Sequence, residues 1–168
     1  LSIRRQRQMC IRDSNKPLSI EEKCQTFDDE IILVENIKKI FLLLLGKAFE
    51  KYGSEIEKNQ QVLLSLSDLA IEAYLSESTL KRTIKNIKRS SVEDQFDQIN
   101  MTKLYIYEAC QIVLKKSNDV VNSIIDLKSQ DKVHSSIAGK LKYSENPNIF
   151  ELKTKIAEKI ISENRYCF

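Results

Sequence analysis

Apolar positions recur at spacings of three and four through most of the chain. Val34, Ile37, Phe41, Leu44, Ala48 and Tyr52 form one such stripe, and Ile56, Leu63, Leu66, Ala70, Ala73, Leu80, Ile84 and Ile87 form a second. This spacing follows the α-helical turn and places each set on one face. The stripes predict helices over about 29–52 and 54–89, broken once at Gly53-Ser54. Gly53 has no Cβ and can take the left-handed backbone that ends a helix, and Ser54 with Glu57 forms a capping box for the next one. A third stripe, Ile99, Ile106, Ala109, Cys110, Val113, Val120, Ile124 and Leu127, predicts a helix starting near Ser90. There Ser90 and Glu93 offer a second capping box, and Ser117-Asn118-Asp119 is a candidate kink or new cap.

The remaining stripes are shorter. Val133, Ile137 and Leu141 predict a helix within 131–143, with Gly139 a mild liability. The SENPN segment is a turn, and Asn148 with Glu151 offers a third capping box. A last helix then runs to about Asn164 and is expected to bury Ile149, Leu152, Ile156, Ile160 and Ile161. No stripe can be buried alone, so the chain is expected to be all-α, an antiparallel helical bundle of about four main helices over 29–168.

Three features within the helices bear on partners. Phe41–Leu45 is apolar on every side, which fits burial all round or a face that meets another domain. Glu77 falls on the inward stripe of the second helix; it pairs with Arg82 or with a lysine from another helix, or the stripe veers past it. Lys81, Arg82, Lys85, Lys88 and Arg89 crowd that helix's last turns. A solvated end where cations suit the helix dipole outweighs a phosphate or membrane patch, because no aromatics interleave with the charges. At the start of the first helix, Thr26 or Asp28 is placed to cap, and the acids there suit the positive end of the dipole.

Charge does not add a nucleic-acid partner. The net charge is +3, but residues 1–14 supply all of it, through Arg4, Arg5, Arg7 and Arg12 against Asp13. The stretch Met9-Cys10-Ile11-Arg12-Asp13-Ser14 resembles a translated sequencing adaptor, and such scars are set aside in fold reasoning. The remainder is neutral, which gives no argument for nucleic acid or an anionic membrane. Residues 15–28 read as a linker in which Pro17 discourages helix. No apolar run approaches the roughly 20 residues of a membrane helix.

Candidate chemistry is sparse. His134 is the single histidine, so a di-iron bundle needing two Glu-x-x-His motifs and the usual His-rich zinc sites are excluded. Setting Cys10 aside leaves Cys24, Cys110 and Cys167 without C-x-x-C spacing, as expected of reduced cytoplasmic thiols. Cys110 lies on an inward stripe and reads as a core residue. His134 followed only at Lys140 by a lysine departs from the histidine phosphotransfer pattern, and an exposed surface histidine is the expectation. The three glycines stand alone and form no phosphate loop. No catalytic, cofactor-binding or metal residue is assigned.

One ordered series carries more. Gln60, Leu63, Leu66, Asp68, Ala70, Ile71, Glu72 and Tyr74 form a Q-x-x-L-x-x-L-x-D-x-A-I-E-x-Y pattern. It resembles the helical domain that follows the catalytic part of very-long-chain-type acyl-CoA dehydrogenases, in their bacterial branch. The acidic Glu21, Glu22, Asp28, Asp29 and Glu30 lead-in, the basic KRTIKNIKR, the MTKLYIYEA helix and the closing NRYCF are similar to it too. The resemblance implies a parent flavoprotein with FAD, active in fatty-acid β-oxidation. That parent's catalytic region and flavin site lie upstream of anything here, so the fragment alone is expected to be inactive. It implies as partners the chain's own catalytic domain and further copies in a homo-oligomer, with membrane association a weaker expectation. The competing reading is a free-standing helical interaction module or a phosphorelay protein.

Overall fold

Gly53 turns the first corner of the fold, with φ +53°. The computed structural model describes residues 25–90 and 95–165. The adaptor-like stretch, most of the linker, Cys24, Cys167 and the Glu93 half of the second capping box lie outside the described residues. Among the described residues five α-helices follow one another: α1 Asp28–Tyr52, α2 Gln60–Arg89, α3 Phe96–Ile124, α4 Leu127–Lys140 and α5 Ile149–Glu163. No strand occurs among the described residues. The all-α bundle is as expected, built among the described residues from three long helices and two short ones.

The long helices form the core. Val34, Ile37, Leu44 and Ala48 of the first stripe are buried, joined by Leu33 and Ile40. In α2 the buried seam runs Val62, Leu66, Leu69, Ala73, Ser76, Leu80, Thr83 and Ile84. Ala70 and Leu63, read from the sequence as inward, are half-buried at its edge. In α3 the third stripe is buried from Ile99 to Ile124, but Leu127 is 84% exposed because a turn at Ile125-Asp126 separates it from α3. The candidate kink at Ser117 does not occur; the helix runs through it. Phe27, placed in the linker by the sequence, is fully buried.

Cross-helix pairs fix the directions. Lys38 of α1 meets Glu77 of α2, Asp68 of α2 meets Lys116 of α3, and Thr83 of α2 bonds Thr102 of α3. Along α2 and α3 the pairing partners run in opposite order, Asp68 with Lys116 and Thr83 with Thr102, and Lys38 early in α1 meets Glu77 late in α2, so the three run antiparallel in turn. α4 packs on α3 and α1, and α5 packs on α3. The outward side of α2 stays uncovered by α4 and α5.

The predicted caps fared unevenly. Asn148 caps α5, its Oδ1 accepting from the Glu151 backbone N–H at 3.3 Å. Ser54 and Glu57 do not form a capping box: Gly53–Lys58 is a 3-10 helix that buries Ile56, and α2 starts at Gln60 after Asn59. Neither Thr26 nor Asp28 caps α1, whose N-cap position is Phe27 with no side-chain bond. α3 starts after Gln95, again without one. α5 departs most from expectation, since none of its residues is buried. Ile149, Leu152 and Ile156 are half-buried, while Ile160 and Ile161 face solvent.

Candidate functional site

The residues with chemical potential are used for packing and clasping. His134 is half-buried on α4. Its Nδ1 lies 2.6 Å from the Asn118 side-chain amide and its Nε2 3.0 Å from that of Asn122. Asn118 and Asn122 are four apart, so they share one face of α3 and hold the ring from both ends. The expected exposed histidine is therefore a helix–helix clasp. A phosphoacceptor histidine needs an exposed ring nitrogen, and here both are engaged.

Cys110 is 1% exposed, and burial, with the nearby Glu30 charge, pushes its thiol up to about 12. A thiol held in that state is a core group rather than a nucleophile. Tyr105 and Tyr107 point to different sides, as their flanking of Ile106 predicts. The Tyr105 hydroxyl donates to Glu72 at 3.0 Å; burial and that carboxylate raise it to about 12. The Tyr107 ring packs against Tyr143 at 6.1 Å. Among the described residues no cluster of histidine, cysteine and acidic side chains could hold a metal ion.

Two carboxylates sit inside or near the core, and the sequence exposed only one of them. Glu77 takes Lys38 from the neighbouring helix and Lys81 from its own, at 2.5 and 2.6 Å. A lysine from another helix was one of the predicted partners, whereas Arg82 lies exposed. Burial opposes ionisation of Glu77, but the hydrogen bonds from Lys38 and Lys81 outweigh it and hold the carboxyl below the usual range. Glu30 went unnoticed because it sits among surface-like acids at a helix start. It is 4% exposed, and burial pushes its carboxyl up despite the bond to its own backbone and the Lys103 charge.

A polar layer also escaped the sequence reading. Thr83 and Thr102 bond at 2.8 Å in the α2–α3 seam, Thr102 reaches the Gln98 carbonyl at 2.8 Å, and Asn86 donates to the Gln98 side chain at 2.9 Å. Threonine is common on both buried and exposed helix faces, so no pattern marked it.

A half-open cavity of about 270 Å³ lies between α3 and the end of α4, lined by Tyr107, Cys110, Leu114, Leu141, Lys142 and Tyr143 among others. It falls short of the roughly 300–1,000 Å³ of ordinary small-molecule sites, and a dinucleotide is among the larger ligands. Gly46 and Gly139 lie inside helices and Gly53 at a corner, so no glycine loop approaches a pyrophosphate. This cavity does not fit a flavin.

Comparison with known proteins places the bundle. The family model described as acyl-CoA dehydrogenase, C-terminal domain, matches residues 36–138. A probable acyl-CoA dehydrogenase of Bacillus subtilis (strain 168) is 26% identical over 141 residues, covering 83% of this chain and 23% of that protein. The crystal structure of an acyl-CoA dehydrogenase complexed with FAD from Bacillus anthracis superposes with a TM-score of 0.82 at 25% identity, over 96% of this chain and 29% of that one. The chain thus spans about a quarter of the length of these relatives. With helices, order and more than half its length matched, the chain belongs to the acyl-CoA dehydrogenase C-terminal domain family.

Proposed function

We propose that the chain is the C-terminal structural domain of an FAD-dependent acyl-CoA dehydrogenase of fatty-acid β-oxidation, whose catalytic region lies outside it. The observation that carries this is the likeness to an FAD-complexed dehydrogenase over 96% of this chain. When bound, FAD supplies the hydride acceptor for acyl-CoA oxidation. The cavity between α3 and α4 does not fit that group, so no step of the reaction is assigned to its residues. Its work is packing: on the catalytic region of its own subunit, and between subunits of a homo-oligomer. The Phe41–Leu45 run suits the first contact, because Leu44 is buried, Phe41, Leu42 and Leu45 are half-buried and Leu43 is 49% exposed. A cytoplasmic enzyme with reduced thiols is the compartment we infer. Among the described residues no helix is long and apolar enough to cross a membrane.

The test is the source DNA ahead of the Asn15 codon, read free of adaptor. An uninterrupted flavoenzyme frame is expected, and the joined protein should be yellow and oxidise acyl-CoA while the present chain is colourless and inert. A start codon near Lys16 would overturn the reading in favour of a free-standing module.

A further inference from the structure

We propose that the cavity between α3 and the end of α4 binds a compact aromatic carboxylate, its carboxylate at Lys142 and a neutral oxygen on the Tyr143 hydroxyl. This goes beyond the packing role above and stands on the cavity alone, so its failure would leave that role untouched.

The walls come from two elements. Tyr107, Cys110, Gln111 and Leu114 share one face of α3 at helical spacing and form the first wall. Ala138 and Leu141 form the facing wall where α4 ends at Lys140. Ala138 brings only a methyl group to it, which leaves the space open. The volume is about 270 Å³. That is roughly nine waters' share of the liquid, enough for one ring with two small substituents.

One group inside calls for a partner. Tyr143 is 6% exposed and lines the cavity, yet its hydroxyl has no hydrogen-bond partner among the described residues. Buried polar atoms are nearly always paired, so an unpaired one on a cavity wall is ready for a ligand. Polarity then changes from the inside outward. Tyr143 and Cys110 are buried, whereas Lys142, Gln111 and Asn146 are exposed at the mouth. Burial, helped by the charges of Glu30, Cys110 and Asp29, pushes the Tyr143 hydroxyl up, so it stays protonated and can donate. The same acidic neighbours oppose an anion at that end, so the acceptor it meets is a neutral oxygen. Lys142 makes no ion pair with a described residue and offers its cation at the mouth. A flat ring suits the space between, because the Tyr107 and Tyr143 rings already pack there at 6.1 Å beside Leu114 and Leu141. The simplest probe with these three parts in line is 4-hydroxybenzoate.

The experiment titrates the 168-residue chain at neutral pH with 4-hydroxybenzoate, benzoate and 4-hydroxybenzamide, read by calorimetry and by NMR shifts of the lining residues. The first should bind with a Kd of about 0.1–1 mM, as befits so small a ligand. Benzoate lacks the inner oxygen and should bind about tenfold more weakly. The amide lacks the charge and should lose about threefold, the scale of an exposed ion pair. Tyr143→Phe should erase the advantage over benzoate without lowering Tm, because the hydroxyl has no partner in the fold. Lys142→Ala should erase the advantage over the amide. Ala138→Phe, at an exposed position, should fill the cavity and abolish binding while circular dichroism stays unchanged. No binding of 4-hydroxybenzoate at about 10 mM, well above the expected Kd, overturns the proposal. So do shifts confined to residues outside the cavity, or binding indifferent to all three variants. A Tm lowered by Tyr143→Phe would give the hydroxyl to the fold and overturn its role as the ligand's donor.

Discussion

Glu30 and Glu77 bind protons in opposite senses as the chain folds. Glu77, held low by Lys38 and Lys81, adds stability above the unfolded carboxylate value that is lost as pH falls through its folded one. Glu30, pushed up by burial, contributes stability that is complete below the unfolded value and lost as pH rises through its folded one. Glu77→Gln should therefore cost about 1 kcal/mol at neutral pH and nearly nothing in acid. Glu30→Gln should remove a loss that grows towards neutrality, so it is neutral in acid and stabilising at pH 7. Urea midpoints across the acid range would check both, and parallel curves for the two variants would refute the assignment. The seam of α2 gives a second residue-scale test. Leu69 is fully buried and Ala70 half-buried, so Leu69→Ala should cost about 2–5 kcal/mol and exceed Ala70→Asp. Glu77 was legible because a charge on an apolar stripe demands a partner. Glu30 was not, because acids at a helix start read equally well as exposed groups favoured by the dipole.

Within the elements, the three glycines separate cleanly. Gly53 sits at φ +53°, where a Cβ strains the backbone, so Gly53→Ala should cost about 1 kcal/mol or more. Gly46 and Gly139 lie inside helices with nothing within 4 Å of an added Cβ, so alanine there should stabilise by up to about 1 kcal/mol. Thermal melts of the three variants should move in these opposite directions. The helix faces were legible because burial repeats with the turn, and the corner at Gly53 because it needs a special backbone. The start of α2 was not, since a capping box is a local offer that tertiary packing can refuse: burying Ile56 in a 3-10 turn moved the start to Gln60. Asn148 kept its box at a surface helix where no such competition exists.

At the scale of the whole molecule, burial is unequal: α1, α2 and α3 hold most of the core and α5 holds no buried residue. Hydrogen exchange should therefore show a slow, cooperative α1–α3 unit and a fast α5. Ending the chain after Glu145, which keeps buried Tyr143, should preserve the main unfolding transition; its loss would place α5 inside the cooperative unit. The sequence misjudged α5 because its stripe is the most regular of all, and amphipathicity reports a face that seeks cover without saying that this chain provides it. The ties on α1 have a mechanical consequence. Near its start, the backbone N–H and hydroxyl of Ser144 donate to Asp29 at 3.0 and 2.8 Å. Near its end, Lys51 donates to the Ser123 carbonyl at 2.8 Å and the Tyr52 hydroxyl meets the Ser123 hydroxyl at 3.1 Å. A rod of 25 residues pinned at both ends transmits tension rather than unravelling from its tip. A pull on the chain ahead of Asp28 is met first by buried Phe27 and then by the Ser144 anchor, and is carried along α1 to the far end of α3. The bundle is thus built to yield as one body under load from its leading end, whereas the same pull applied at α5 would peel it away one turn at a time.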